Sequence, residues 1–105
     1  MAELTVISWR DIPAQVTARI GREKVSVPLS DRFQEAIDVA ATRVGLTGTD
    51  GYLSEWRRNA RPCGDDLRSE AEAEAQRLEA AFDDERLTAL ARAGGSIDLA
   101  PMEGA

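Results

Sequence analysis

The hydrophobic pattern of this chain changes its period near residue 30. Apolar and polar residues alternate between residues 14 and 29, whereas from Phe33 onwards apolar residues recur three or four positions apart. Alternation is typical of strands, and the longer spacing is typical of helices that bury one face. Because the strands come first and the helices afterwards, the pattern predicts an α+β fold with the two kinds of element segregated.

Three segments are predicted strands. Residues 4–9 (LTVISW) are rich in β-branched and aromatic residues, and residues 14–20 and 25–29 alternate. Pro28 has no amide hydrogen to donate, which places the third strand at an edge of the sheet. We expect a three-stranded antiparallel meander followed by three or four helices packed on one face.

The loop between the second and third strands has two possible lengths. A four-residue loop sets Ile20 opposite Val25, whereas a two-residue loop sets Arg19 opposite Lys24. Like charges directly opposite each other destabilise a strand pair. The sequence therefore favours the longer loop.

Two helices are predicted in the middle of the chain. The first follows Ser30 or Asp31, either of which can cap it, and ends at Gly45. The second is shorter, starts near Thr49–Asp50 and is broken by residues 61–64.

The last part of the chain is predicted to be helical as far as Gly94. A long helix begins at Asp65, and Asp65 and Asp66 suit its N-terminus, where acids are favourable. Asp83 and Asp84 either interrupt this helix or cap a further one. Since 105 residues leave no room for a second core, residues 3–95 are expected to form a single α+β domain. Residues 96–105 are expected to be a flexible tail, although Ile97 and Leu99 alternate and could add a strand.

The chain contains no histidine, which narrows the chemistry open to it. Without this residue a protein lacks the side chain that most often serves as general base near neutral pH. A zinc site with four cysteine or histidine ligands is also excluded, because Cys63 is the single cysteine. We therefore expect no enzyme activity, no catalytic or metal-ligating residues and no cofactor.

The cysteine count and the length of the apolar runs indicate the cellular compartment in which the protein works. One cysteine cannot form an internal disulfide, which agrees with a reducing compartment. The apolar run at residues 4–9 is too short for a signal-peptide core or a membrane span. A cytoplasmic protein without membrane partners is expected, and a homo-oligomer remains open.

The net charge of −6 is unevenly distributed along the chain. Residues 1–61 hold nine Lys/Arg against eight Asp/Glu, whereas residues 62–105 hold four against eleven. This balance argues against nucleic acid as a partner. The acidic second half is either a solvated helix face or an arm for a basic partner.

A candidate binding segment contains two aromatic residues beside three arginines: Tyr52, Trp56, Arg57, Arg58 and Arg61. Tyrosine, tryptophan and arginine are enriched at interface hot spots because they combine apolar area with directional donors. In a helix the two aromatics would share one face. The segment either contacts a protein partner, binds an anion through its arginines, or has a structural role in which the aromatics are core and the arginines complement a helix dipole.

A second candidate lies at the end of the first strand, at Trp9, Arg10 and Asp11. The two charged residues either pair locally or form a recognition edge beside Trp9. We predict a contact surface that combines this edge with the Tyr52–Arg61 segment.

Three blocks in this order resemble a family of small bacterial proteins, frequent in alphaproteobacteria, that carry the label "virulence factor" domain. The blocks are Ser8–Val16 (SWRDIPAQV), Asp31–Asp38 (DRFQEAID) and Tyr52–Arg58 (YLSEWRR). A related domain is similar to part of the larger conserved virulence factor C. The resemblance covers roughly residues 3–92 and implies a module that works beside other domains.

Genes for such proteins tend to lie near those for methylenetetrahydrofolate reductase and corrinoid methyltransferases. The resemblance therefore implies an accessory subunit or regulator of a one-carbon enzyme. It implies no catalytic residues. From the residues themselves, the alternative function is a small-molecule or anion sensor that uses the cluster of Arg57, Arg58 and Arg61.

Overall fold

A computed structural model describes residues 1–46 and 50–95 of the protein. The predicted tail 96–105 and the predicted helix start at Thr49 lie outside the described residues. The strands are β1 (Glu3–Trp9), β2 (Ile12–Ile20), β3 (Glu23–Pro28) and β4 (Trp56–Pro62). The helices are α1 (Asp31–Arg43), α2 (Asp50–Ser54), α3 (Leu67–Ala81) and α4 (Asp84–Arg92).

The sheet is antiparallel with strand order β3-β2-β1-β4. The α+β class and the β1-β2-β3 meander are confirmed, and β3 lies at an edge as its proline predicts. The prediction of three strands is wrong, because a fourth strand, β4, pairs with β1 along its whole length. The predicted order of all strands before all helices is also wrong, because β4 follows α1 and α2.

The β2–β3 loop has two residues, so the predicted four-residue loop is wrong. Ile20 pairs with Glu23, and Arg19 pairs with Lys24. Gly21 has φ 56° at the first central position of the turn, where a tight hairpin needs positive φ. Both cationic side chains are exposed, and water weakens their repulsion enough for the turn geometry to set the register.

Helix α3 packs on β2 and β3, while α1 contacts β2 and packs against α4. The first-strand leucine, Leu4, is fully buried among apolar side chains from the helices. Phe33 of α1 makes an edge-on contact with Phe82 at the end of α3, with ring centroids 6.0 Å apart. These contacts bury the apolar face that the helical spacing predicts.

The predicted caps are present at the last two helices. The Asp66 carboxylate accepts a hydrogen bond from the Ser69 amide, and Asp83 accepts one from the Arg86 amide. At α1 the cap differs, since Ser30 caps the helix without a side-chain bond to it. Its amide and hydroxyl both donate to Glu79 on α3, which ties the start of α1 to the third helix.

Candidate interaction surface along the fourth strand

The segment predicted as the second helix is one helical turn followed by strand β4. The helix α2 ends at Ser54, and from Trp56 the chain pairs with β1, setting Trp56 opposite Trp9 and Pro62 opposite Glu3. The prediction of a helix through Trp56 to Arg58 is therefore wrong. β1 is hydrogen-bonded to β2 on one side, and β4 supplies partners for the backbone groups on its other side.

Three aromatic rings pack together where α2 meets β4. The Trp9 and Tyr52 rings stack with centroids 5.6 Å apart, and the Trp56 ring meets Tyr52 edge-on at 6.2 Å. The Trp9 indole nitrogen donates to the Tyr52 carbonyl at 2.9 Å. Trp9 is 0% exposed and has no surface for a partner, so its predicted place in a contact surface is wrong. Tyr52 and Trp56 are half-buried and each presents one side to solvent.

Arg10 forms the turn between β1 and β2 with a φ of 53°, a conformation rare outside glycine. Its Nε donates to the Glu55 carboxylate at 2.9 Å, and its guanidinium donates to the Gly94 carbonyl at 3.1 Å. The amide of Asp11 donates to the Gly95 carbonyl at 2.7 Å. These bonds hold the turn against the segments before β4 and after α4, so Arg10 has a structural role with its side chain 13% exposed.

The three arginines of β4 do not converge. Successive side chains of a strand point to opposite faces, which separates Arg58 from Arg57 and Arg61. Arg57 lies 3.6 Å from the Asp11 carboxylate, and Arg61 lies 3.2 Å from the Glu74 carboxylate on α3. The predicted single arginine cluster, on which the anion-sensor alternative depends, is therefore not formed.

Arg58 lies on the face of the sheet opposite α3. It borders a shallow cleft of about 180 Å³ together with Thr5 and Arg19, which come from β1 and β2. Within residues 1–46 and 50–95, neither the Arg58 nor the Arg19 side chain has a hydrogen bond or an ion pair. Both charges are available to a ligand.

Glu74 is a buried carboxylate that sequence reasoning missed. It is 5% exposed and accepts hydrogen bonds from Arg77 and Arg61. The hydrogen bonds from Arg77 lower the pKa of Glu74, burial opposes them, and Arg61 adds to the lowering. Its position was visible in the sequence, because Glu74 falls in phase with the apolar stripe of α3 at Ala71, Ala75 and Leu78.

In the described part of the chain, no strand pairs with the outer edge of β4. This strand is the last in the sheet, and every residue after the half-buried Trp56 is exposed. α3 packs mainly over β2 and β3 and reaches β4 through the ion pair between Glu74 and Arg61. We call the outer edge of Trp56–Pro62, with the exposed side of Tyr52, the β4 surface.

Other candidate groups have structural explanations. Cys63 is half-buried, and burial together with the nearby Glu70 carboxylate raises the pKa of its thiol. In the described ranges no three His, Cys, Asp or Glu side chains gather closely enough to hold a metal ion. No helix in those ranges has the length and apolar character needed to cross a membrane.

A family model described as "Virulence factor" matches residues 7–91. The chain belongs to this family. The match spans β2, β3 and β4 entirely and all three sequence blocks on which the resemblance was based. Comparisons with curated proteins and with solved structures gave no match. The family label describes no chemistry, so the function must be argued from the β4 surface.

Proposed function

We propose that this virulence factor family member is a non-catalytic protein–protein interaction module and that the β4 surface is its contact site. The observation that carries the proposal is an edge strand that bears Arg57, Arg58 and Arg61 and whose outer side is paired with no described strand. Exposed strand edges template pairing with other chains, and natural proteins usually cover or shorten them. A seven-residue edge in a small domain is therefore a binding feature.

The aromatic cluster supports the same surface. Tyr52 stacks on the buried Trp9, and Trp56 packs edge-on against Tyr52, which fixes both rings before any partner arrives. Rigid aromatics lose little side-chain entropy on binding and are frequent anchors at interfaces. Arg10 and Asp11 contribute by holding this corner in place.

The partner we propose is a one-carbon enzyme, either a methylenetetrahydrofolate reductase or a corrinoid methyltransferase. The chain would act in the bacterial cytoplasm as an accessory subunit or regulator. Support for this choice comes from the family resemblance alone, including the relationship to conserved virulence factor C. The geometry supports the location of the contact surface, and the two enzymes are the partners against which that surface can be tested.

The test compares two charge-reversed double variants of the purified chain. Arg57→Glu/Arg58→Glu changes the β4 surface, whereas Arg22→Glu/Lys24→Glu makes the same change in net charge at the opposite edge of the sheet. Affinity for the reductase and the methyltransferase of the same genome is measured by calorimetry. We expect the first variant to lose binding by about tenfold or more and the control to retain it.

Equal affinity of both variants would exclude the β4 surface as the contact site. Absence of binding by the wild-type chain to either enzyme would exclude the proposed partners. A thermal-shift screen with folates and phosphorylated metabolites addresses the sensor alternative, because a ligand that binds the folded chain raises its melting temperature without any protein partner.

A further inference from the structure

We infer that the β4 surface binds an acidic, extended segment of its partner by strand addition, so that the segment becomes a fifth strand of the sheet. This inference rests on the proposed function and specifies the chemistry of the partner. It depends on the backbone of β4, on the spacing of its arginines, and on the effect of those arginines on self-pairing.

The backbone of β4 suits strand addition. In an antiparallel pair, every second residue turns its N–H and C=O away from its neighbour. β4 is paired with β1 over its full length, and no strand within residues 1–46 and 50–95 pairs with its other side. Its proline, Pro62, is the last residue of the strand and leaves the amide groups before it intact.

The other edge of the sheet is less suitable. β3 is one residue shorter, and it packs beneath α3. Among the described elements, the longer edge strand with less helix packed on it is therefore β4.

The charge around β4 selects an acidic segment. Five arginines lie on β4 or beside it, distributed over both faces of the sheet, at positions 19, 57, 58, 61 and 77, against the carboxylates of Glu3, Asp11 and Glu74. This leaves an excess of two positive charges in a chain whose net charge is −6. Because screening limits exposed charges to about 8–10 Å, an approaching strand meets the local excess rather than the acidic helices.

The arginine spacing defines a pattern in the partner. Residues directly opposite each other in a strand pair lie about 4.5–5.5 Å apart at Cβ. An antiparallel segment that places acids opposite Arg61, Arg58 and Arg57 reads acid–x–x–acid–acid. The next residue lies opposite Trp56 and is expected to be apolar.

A second copy of this chain is disfavoured as the occupant. Antiparallel pairing of β4 with itself about Asn59 would set Arg57 opposite Arg61 at two places. Moving the centre to Arg58 would set that residue opposite its own copy. Like charges directly opposite each other are destabilising, so the arginines permit an acidic strand and oppose self-association.

The experiment uses a synthetic peptide with glutamates in the acid–x–x–acid–acid spacing, threonines between them and valine after them. Two further peptides carry N-methyl groups on alternate residues, one at the odd positions and one at the even positions. Binding to the full chain is followed by amide NMR shifts and titration. Since N-methylation removes the donors that face one side, strand addition predicts that one methylated peptide loses binding at least about tenfold and the other retains it.

Two variants of the protein test whether the positive charge of β4 contributes to peptide binding. Arg58→Glu is expected to weaken the parent peptide about tenfold, and Lys24→Glu, an equal charge change on β3, is expected to leave its affinity unchanged. Melting temperatures establish that both variants fold. A peptide with the same composition in scrambled order is expected to bind more weakly than the parent.

Each contrary result has a distinct meaning. Equal binding by both methylated peptides would show a charge contact without strand addition and overturn the inference. If the peptide leaves the β4 amides unshifted at millimolar concentration while the enzyme still binds in an Arg57/Arg58-dependent way, strand addition fails and the proposed function stands. If neither binds, both proposals fail, and the arginines serve to protect the edge from aggregation.

Discussion

Gly95 lies against the buried Trp9 so closely that a single methyl group should measurably destabilise the fold. A Cβ at this position would come within 2.9 Å and 3.1 Å of two ring carbons of Trp9, and within 3.3 Å of the Ala40 Cβ. Trp9 is 0% exposed and has no free space into which to move. Gly95 also has φ +88°, a conformation that residues with a Cβ rarely adopt.

The cost of Gly95→Ala has two parts. Holding a residue with a Cβ at this φ costs about 1–2 kcal/mol. Forcing extra volume into a packed site costs about 1–3 kcal/mol more. The expected total of about 2–5 kcal/mol is a large part of the 5–15 kcal/mol typical of a domain's free energy of unfolding.

Gly45→Ala is the matched control. Gly45 has φ +73°, and no atom lies within 4 Å of where its Cβ would be, so this variant carries the backbone cost without the clash. Urea unfolding followed by tryptophan fluorescence measures both variants. We expect Gly95→Ala to lose more of the free energy of unfolding than the control by about 1–3 kcal/mol.

A double variant isolates the clash with Trp9. Trp9→Phe removes part of the ring system that a Cβ at position 95 would meet. The double variant should therefore lose less free energy of unfolding than the sum of the two single losses, by about 0.5–3 kcal/mol. Equal losses of stability in Gly95→Ala and Gly45→Ala, or strict additivity with Trp9→Phe, would refute the close contact described here.

Three further predictions concern ionisable side chains. Because the pKa of Glu74 is lowered by Arg77 in the folded state, its contribution to stability is full above its unfolded pKa of about 4.3 and is lost as the pH falls through the folded value. Melting temperatures between pH 7 and pH 3 should therefore fall less for Glu74→Gln than for wild type, whereas the exposed control Glu72→Gln should follow wild type. Arg10→Ala removes the hydrogen bonds to the Glu55 carboxylate and the Gly94 carbonyl, so it should lower the free energy of unfolding by about 1–3 kcal/mol. Urea titrations measure this loss, and an unchanged unfolding midpoint would contradict the structural role of Arg10. The raised pKa of Cys63 predicts slow reaction with a thiol reagent at pH 8 in the folded chain and faster reaction in urea, and equal rates would contradict it.

Local sequence signals located most of the elements. The alternation in residues 14–29, the aspartate caps at Asp66 and Asp83, and the apolar spacing after Phe33 each depend on neighbours within a few positions. Such signals are readable because strand and helix periods are properties of the local backbone. The aromatic and arginine residues of the candidate site were also found this way, although their geometry was not.

The misplaced elements depended on distant partners. Residues 56–62 carry little apolar alternation. They form a strand because they pair with the backbone N–H and C=O groups of β1 that face away from β2. The length of the loop after Ile20 was predicted from the repulsion between Arg19 and Lys24, whereas the geometry of the turn at Gly21 determines it. In each case the deciding contact lay outside the segment being interpreted.

The sequence by itself determined the α+β class, the three strands that precede the first helix, the edge position of β3 and the absence of histidine chemistry. The tertiary structure alone decided that Trp9 is core, that Arg57 and Arg58 point to opposite faces, and that β4 is an edge strand among the described elements. The reason is physical: periodicity and caps act over one or two turns of chain, whereas burial and strand pairing join residues tens of positions apart.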